Sequence, residues 1–363
     1  MHKQFILAAL EQAWKGRGSC SPNPSVGAVA VYQDTIIASG RHRGVGSAHA
    51  EQETIEQLPQ GLKGVTLYVT LEPCNHWGKT PPCVDAIIQY GIDCVVYSFP
   101  DPNPIVARNN TPKILQKHGI KVFYVTLPEV SQFYQSYQYW TQTKKPYITA
   151  KLAHTLNGKI AQNNQQVLLS NKACQHFTHT NRYYTDAILT TASTLMIDNP
   201  QLNSRLNETI EKKIILIIDS ALTLPAHLNI FDSAKHCHIF YNKTLNAPKK
   251  NRNCTYHALA ANYDKKLNLE QLMHYIGQDL GFHDVWVEAG GQLFTALHLQ
   301  NLVQKTYLYI VPTLLNEPAT SGFCDSKLFD SPHTITWQAA NDNMIACLEW
   351  DKSSIQTNTE LNN

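Results

Sequence analysis

Two cysteines and a histidine stand close together in LEPCNHWGKTPPC (71–83), and a second histidine precedes a glutamate by two positions in SAHAE (47–51). Thiolates and imidazoles are zinc ligands, but the two thiolates of Cys74 and Cys83 do not close a tetrahedral site. The third ligand must come from His76, nearest in sequence, or from His49. A closed structural site built on either histidine, or two unconnected thiols, are the competing readings.

His49-Ala50-Glu51, followed by Pro73-Cys74 and a further cysteine, is the pattern of zinc-dependent base and nucleoside deaminases, in which the glutamate stays outside the metal shell. Three protein ligands leave a fourth position for water, whose pKa falls to about 7 on zinc. The gap between the two cysteines is longer than the usual two residues. Residues two apart on a continuous helix diverge by about 200°, so His49 and Glu51 face one metal only if His49 lies at a helix entrance, with Ser47 as its cap. EPCN and TPPCVDAII read as strand-to-helix junctions, where a helix N-terminus favours a thiolate.

The elements that must position these residues follow from pattern. A helix is expected over Phe5–Trp14 and another after Ala48, with strands at 26–32, 65–70, 94–98 and 121–125, an α/β layer with several parallel strands. The polar, proline-ended TQTKKP (141–146) places a boundary near residue 144, giving domains 1–144 and 145–363. Beyond it, strands are expected at 186–191, 214–219, 236–240, 285–291 and 305–312, again α/β.

Composition narrows the function. Thirty basic and 28 acidic residues leave a charge of +2, too small for a chain built to coat nucleic acid. Nine scattered cysteines, most of them in apolar segments, describe thiols in a reducing compartment. No stretch approaches a membrane span of about 18 apolar residues. A cytoplasmic protein without membrane or nucleic-acid partners is expected.

In the second half, VEAGGQLF (287–294) reads as a strand ending in glycines before a helix, a place where backbone amides approach a phosphate. It is not the three-glycine dinucleotide fingerprint. Glu288, at the strand end, could bind ribose hydroxyls.

PNPSVGAVAV (22–31), HAE (49–51), TLEPCNHWGKTPPC (70–83) and DPNP (101–104) together resemble the deaminase half of the bifunctional riboflavin-biosynthesis deaminase/reductase. KLAHTLNGKIA (151–161), TDAILTTASTLMIDNPQLNSR (185–205), LIIDSALTLP and VEAGGQL are similar to its reductase half, in the same order. The resemblance implies an N-terminal cytidine-deaminase-like α/β/α domain and a C-terminal dihydrofolate-reductase-like α/β domain. It implies hydrolytic deamination of a diaminopyrimidinone bearing a ribosylamino phosphate, then NADPH-dependent reduction of the ribosyl side chain to ribityl. One Zn2+ would be held by His49, Cys74 and Cys83, with Glu51 as the proton carrier. Asn23 would hold the substrate, and Lys79 its phosphate. In the reductase half it implies catalytic Lys151, Asp198 and Glu288, and substrate contacts from Arg182, Leu202, Arg205 and Glu288. NADPH would be bound by Ala153, Ser170, Thr194, Asp198, Ser220, Gly290, Gly291, Gln292 and Leu293. Small phosphorylated pyrimidines and a homo-oligomer are the implied partners.

This chain departs from the pattern in three places. Asn157 and Asn199 stand where the family has aspartates, and QVLLS, with Ser170 at a threonine position, replaces a Ser-x-Trp-Ile-Thr segment. The competing function is a deaminase of another nucleotide or of a nucleic-acid base, with a non-catalytic second domain. That reading requires a basic, aromatic groove, for which GRHRG (40–44) is the one nearby basic cluster.

Overall fold

The computed structural model describes residues 2–77, 81–104, 110–162, 167–206, 208–247 and 253–350. The chain divides into two compact units, Met1–Lys144 and Lys145–Asn363.

In the first unit, strands β1 (Gly27–Tyr32), β2 (Thr35–Arg41), β3 (Thr66–Val69), β4 (Cys94–Tyr97) and β5 (Lys121–Tyr124) form one sheet in the order β2-β1-β3-β4-β5. β3, β4 and β5 run parallel, whereas β1 is antiparallel to both neighbours. Helices α1 (His2–Trp14), α2 (Ala50–Ile55), α3 (Cys83–Tyr90), α4 (Thr111–Lys117) and α5 (Pro128–Thr143) cover it.

Strand alternation sorts the core into two layers. Val29 and Val31 of β1 pack with Phe5, Ile6 and Leu10 of α1 and with Val130, Phe133 and Tyr134 of α5. Ala28 and Ala30 face the other way, onto Ala50 and Ile55 of α2, Val84 and Ile87 of α3 and Leu115 of α4. The residues on the second face are small because α2 lies close to the sheet: a Cβ on Gly40 would sit 2.7 Å from the Ala50 carbonyl. That proximity brings the start of α2 to the sheet.

The second unit carries β6 (Tyr147–Thr155), β7 (Lys159–Gln162), β8 (Ala187–Thr191), β9 (Ser204–Leu206), β10 (Thr209–Glu211), β11 (Ile214–Ile218), β12 (His236–Asn242), β13 (Cys254–Leu259), β14 (Asp284–Glu288), β15 (Lys305–Val311), β16 (Ala319–Ser321), β17 (His333–Ala340) and β18 (Asn343–Trp350). Nine of these form one sheet in the order β13-β12-β11-β8-β14-β6-β15-β18-β17. Its first seven strands are parallel, and β18 and β17 close the edge antiparallel. Helices α6 (Lys172–Tyr184), α7 (Ala192–Asp198), α8 (Ile230–Ser233), α9 (Leu269–Gln278) and α10 (Gly291–Leu299) complete the unit.

One face of the sheet buries Ile148, Ala150, Leu152, Val285 and Val287 against Leu272 and Ile276 of α9 and Phe294 and Leu297 of α10. The alternate residues Lys151, Trp286 and Glu288 lie on the opposite face. The paired arm β7–β16 is tied at its root by the Gly322 amide donating to the Gly158 carbonyl at 2.9 Å. Lys159 and Glu317 form an ion pair beside it. Among the described residues no helix is long and apolar enough to cross a membrane.

Candidate active sites

In the first unit, His49 occupies the N-cap position of α2 with extended backbone, and Glu51 lies in the first turn. The cap itself has no side-chain hydrogen bond. Ser47 is not the cap: its hydroxyl donates to the Gly44 carbonyl and accepts from the Arg43 amide. Cys83 is the first residue of α3, as expected of TPPCVDAII, but Cys74 lies in a coil segment rather than at a helix start.

The ring of His49 meets both sulfurs, with Nδ1 3.1 Å from Cys83 Sγ and 3.4 Å from Cys74 Sγ. Among the described residues these three are the one group of histidine, cysteine or acidic side chains whose ligand atoms converge as a metal requires. Zn–S bonds of about 2.3 Å and Zn–N bonds of about 2.0 Å at a tetrahedral ion put donor atoms roughly 3.5 Å apart, so the trio fits zinc. Hydrogen bonds from Cys83 and His49 hold the Cys74 thiol down to about 4, against the cost of burial. Cys83, which gives its proton to that bond and is buried, is pushed well up. A dication would replace this shared proton and make both sulfurs thiolates.

Glu51 is buried, 4% exposed. Burial pushes its carboxyl up to about 7, the nearby Cys74 charge adding to the effect and His49 opposing it. Such a carboxyl both accepts and returns a proton near neutral pH.

Asn23 contacts this site through His42. The Asn23 amide nitrogen lies 3.0 Å from His42 Nε2, His42 Nδ1 donates to the Ala48 carbonyl at 3.1 Å, and the His42 ring stands edge-on to His49 at 5.3 Å. His76 is not part of the metal trio; its Nδ1 is buried and has no hydrogen-bond partner among the described residues. Lys79 lies outside the described residues. In the basic cluster GRHRG, Arg43 is committed to an ion pair with Glu53 at 2.5 Å.

In the second unit, Lys151 of β6 and Glu288 of β14 are direct partners in register. Lys151 Nζ lies 3.9 Å from Glu288 Oε2 and over the Tyr309 ring at 5.1 Å. Burial pushes the Lys151 ammonium down, the Glu288 charge opposing. Asp198, at the C-terminus of α7, is pushed up by burial and drawn back by the Lys151 charge. The structure thus brings Lys151 and Glu288 together, with Asp198 near enough to feel the Lys151 charge.

Glu288 differs from its expected part. Its Oε1 accepts from Arg182 Nε at 2.6 Å and from Trp286 Nε1 at 2.9 Å, and its Oε2 accepts from Arg182 Nη2 at 2.9 Å. Three donors on two oxygens leave little acceptor capacity for ribose hydroxyls. Burial alone would raise this carboxyl, but the Arg182 and Lys151 charges outweigh it, with hydrogen bonds from Arg182 and Trp286, and hold it down at about 2. Arg182 also donates from Nη1 to the Asn203 carbonyl at 3.0 Å, so the guanidinium keeps two N–H groups for an anion. Sequence reasoning missed Trp286, although its spacing of two from Glu288 on a strand places both on one face.

The remaining expected residues sort by accessibility. Arg205 is exposed on β9, and its amide donates to His179 Nδ1. The Leu202 side chain is buried at 3% exposure in the core with Ile188, Leu195 and Trp286, so only its backbone, with φ of 46°, could reach a substrate. Ala153 packs in a small cluster with Cys174 and Tyr309. The Thr194 hydroxyl and amide both bond Thr191 Oγ1 in the first turn of α7. The Ser170 carbonyl accepts from Gln175, just ahead of the α6 N-cap Asn171. The Ser220 carbonyl accepts from the Asn242 amide at the ends of β11 and β12.

Gly290, the N-cap of α10, has no side-chain cap, and a Cβ there would meet nothing within 4 Å. The uncapped start of a nine-residue helix is the kind of place that suits a dinucleotide phosphate. Gln292 is exposed and Leu293 half-buried at this helix start. Gly291 serves packing: a Cβ there would lie 2.7 Å from the Gly322 carbonyl, at the root of the β7–β16 arm.

The histidines of β12 and β13 do not form a metal group. His238 Nδ1 pairs with His257 Nε2 at 2.9 Å, and His257 Nδ1 with Tyr275 at 3.0 Å.

Comparison with known proteins matches each of the two parts of the chain to a family model. Residues 1–99 match the model of the cytidine and deoxycytidylate deaminase zinc-binding region, and residues 146–347 that of the RibD C-terminal domain. The chain is 32% identical over 350 residues to the riboflavin biosynthesis protein RibD of Escherichia coli K12, covering 92% of this chain and 94% of that one. It is 31% identical over 322 residues to RibD of Aquifex aeolicus, covering 88% and 89%. Among solved structures, Acinetobacter baumannii RibD in one form is similar with a TM-score of 0.82 at 26% identity, covering 97% of this chain and 99% of that one. A Thermotoga maritima diaminohydroxyphosphoribosylaminopyrimidine deaminase/5-amino-6-(5-phosphoribosylamino)uracil reductase is similar with a TM-score of 0.83 at 27% identity, covering 96% and 99%. A family model that spans more than half of the chain, and relatives above 30% identity along almost all of it, establish that the chain belongs to the RibD family of riboflavin-biosynthesis proteins.

Proposed function

We propose that this chain is a bifunctional riboflavin-biosynthesis enzyme that deaminates 2,5-diamino-6-(5-phosphoribosylamino)pyrimidin-4-one in its first unit. Its second unit then reduces the ribosyl side chain with NADPH, giving 5-amino-6-(5-phosphoribitylamino)uracil. The observation that carries this reading is the coexistence of two complete constellations, the His49–Cys74–Cys83 trio beside buried Glu51 and the Lys151–Glu288–Arg182 cluster.

In the deaminase, His49, Cys74 and Cys83 hold zinc, which when bound activates water as a nucleophile near neutral pH. Glu51 takes a proton from the attacking water and passes it to the ring nitrogen beside the attacked carbon, then takes the remaining proton of the added hydroxyl and gives it to the departing amine as the carbonyl forms. Asn23, oriented by His42, holds the pyrimidine. Lys79 offers its charge to the substrate phosphate.

In the reductase, NADPH when bound supplies hydride to the ribosyl carbon. Lys151 donates a proton to the ribose ring oxygen as hydride reaches the carbon beside it and the bond between that carbon and the ring oxygen breaks, which opens the sugar, and Asp198 balances the cation. The two spare N–H groups of Arg182, with Arg205, hold the phosphate. Open space at Gly290 and the amides of α10 receive a cofactor phosphate. The implied location is the cytoplasm and the implied assembly a homo-oligomer.

A coupled assay tests the scheme. The diaminopyrimidinone ribosyl phosphate should release one ammonia and then consume one NADPH per molecule. Turnover of free cytidine or of single-stranded DNA in place of that substrate would overturn the substrate assignment, and ammonia release without NADPH consumption would overturn the second step.

A further inference from the structure

Trp286 and Glu288 lie two residues apart on β14 and share a sheet face with Lys151 of β6. The indole is 1% exposed and packed among Ile188, Leu195, Leu202 and Ile215, with the Tyr307 ring at 5.9 Å. It cannot reorient without disturbing that core. Its one polar group, Nε1–H, donates to Glu288 Oε1 at 2.9 Å. Arg182 fixes the other side of the carboxylate and is itself anchored to the Asn203 carbonyl.

The consequence lies in what Glu288 does not do. Lys151 is its register partner, and a direct ammonium–carboxylate hydrogen bond of about 2.8 Å would be the favoured contact for two such groups out of water. Instead the separation is 3.9 Å, and among the described residues the Lys151 ammonium makes this ion pair and no hydrogen bond. The Arg182 fork sets the plane of the carboxylate, but with a cation on either side it can still shift toward Lys151. A neutral donor on a rigid ring adds direction without adding charge.

We propose that Trp286 is a positioning residue of the reductase site: its indole N–H fixes Glu288 so that the carboxylate stops short of Lys151 and leaves the ammonium a coordination position for the sugar oxygen. This rests on the reductase reading given above. Trp286 touches neither substrate nor cofactor, and it acts through Glu288. When the N–H is removed, Glu288 turns onto Lys151 and competes for the ammonium N–H that the sugar oxygen draws on only as negative charge develops.

The test uses the full chain and the deaminated uracil substrate with NADPH. Trp286→Phe removes the donor, and a benzothienylalanine at 286, with sulfur in place of the N–H, removes it while keeping the bicyclic shape and hence the fold. In both variants kcat for reduction should fall about tenfold, the effect of losing one hydrogen bond to a buried charge. KM for the uracil substrate and the NADPH dissociation constant, read by fluorescence titration, should stay within about twofold, because the N–H contacts neither ligand. In a Glu288→Gln background the same substitutions should change kcat by less than about twofold, as residues acting through one another do. A benzothienyl variant with wild-type kcat overturns the proposal, and so does an undiminished loss in the Glu288→Gln background. A wild-type chain that consumes no NADPH with this substrate overturns the reductase reading itself, a result distinct from either.

Discussion

Lys151 and Glu288 are hydrogen-bonded-strand neighbours in register, yet the ammonium stops 3.9 Å from the carboxylate. The charge of Lys151 is therefore held near a counter-ion without being consumed by it. Replacing Lys151 by Ala should lower reduction by about a hundredfold or more, the usual worth of a positioned proton donor. NADPH binding and ammonia release should persist. Equal loss of both half-reactions would place Lys151 in a structural part instead.

Glu288 makes the stability of the second unit depend on pH in a defined direction. Its folded value of about 2 lies below the ordinary 4.5, so its contribution is fully present above about 4.5 and is lost as the pH falls from there toward about 2. In calorimetric scans across that window the wild type should lose melting temperature faster than Glu288→Gln. Parallel curves for the two proteins would contradict the assignment.

Glu51→Gln keeps the shape of the side chain and removes its proton-carrying capacity. One zinc per chain should remain, since the metal trio does not include Glu51, while ammonia release falls by roughly 10²–10⁴. Reduction of separately supplied uracil substrate should be unchanged. Normal deamination by this variant would be decisive against the mechanism.

Cys83 starts α3 and contacts the His49 ring at 3.1 Å, so Cys83→Ser should lose zinc and deamination together. A chelator should reproduce the effect in the wild type, and added zinc should reverse it there but not in the variant. Metal analysis against chain concentration measures this, and a full zinc complement in the variant would exclude Cys83 as a ligand.

The departure at Asn157 is explained by its two hydrogen-bonding ends. Thr155 Oγ1 donates to Asn157 Oδ1 at 2.6 Å, while Asn157 Nδ2 donates to the Leu315 carbonyl at 2.8 Å. An aspartate would set an oxygen against that carbonyl. Asn157→Asp should destabilise the second unit by about 1–3 kcal/mol in urea unfolding, and a neutral outcome would mean that the loop relaxes around the change.

The zinc trio was legible because three residue types of narrow chemistry fall at spacings that a loop can close. His76 looked equally eligible in sequence, and it is left out by the convergence of the His49, Cys74 and Cys83 donor atoms, which only the fold shows. The α/β character of both units was legible from short apolar strands, but β2 and β17 hold their large apolar side chains, Ile36 and Ile37 in one and Ile335 and Trp337 in the other, exposed rather than on a buried face, which apolar content alone does not reveal. Asn199 could be read as a departure but not as an adaptation: it sits at φ 40°, a backbone that asparagine tolerates, and its side-chain oxygen accepts from the Asn229 amide. The Glu288–Arg182–Trp286 network was the least legible, since the partners come from α6 and β14, more than a hundred residues apart.

His49, Cys74, Cys83 and Glu51 all precede Lys144, and Lys151, Arg182 and Glu288 all follow it. Neither proposed set includes a residue of the other unit, so lesions in the two should be genetically separable. A chain disabled at Glu51 and a chain disabled at Lys151, mixed in one tube, should complement each other in trans, with the deaminated intermediate travelling between them as a diffusible metabolite.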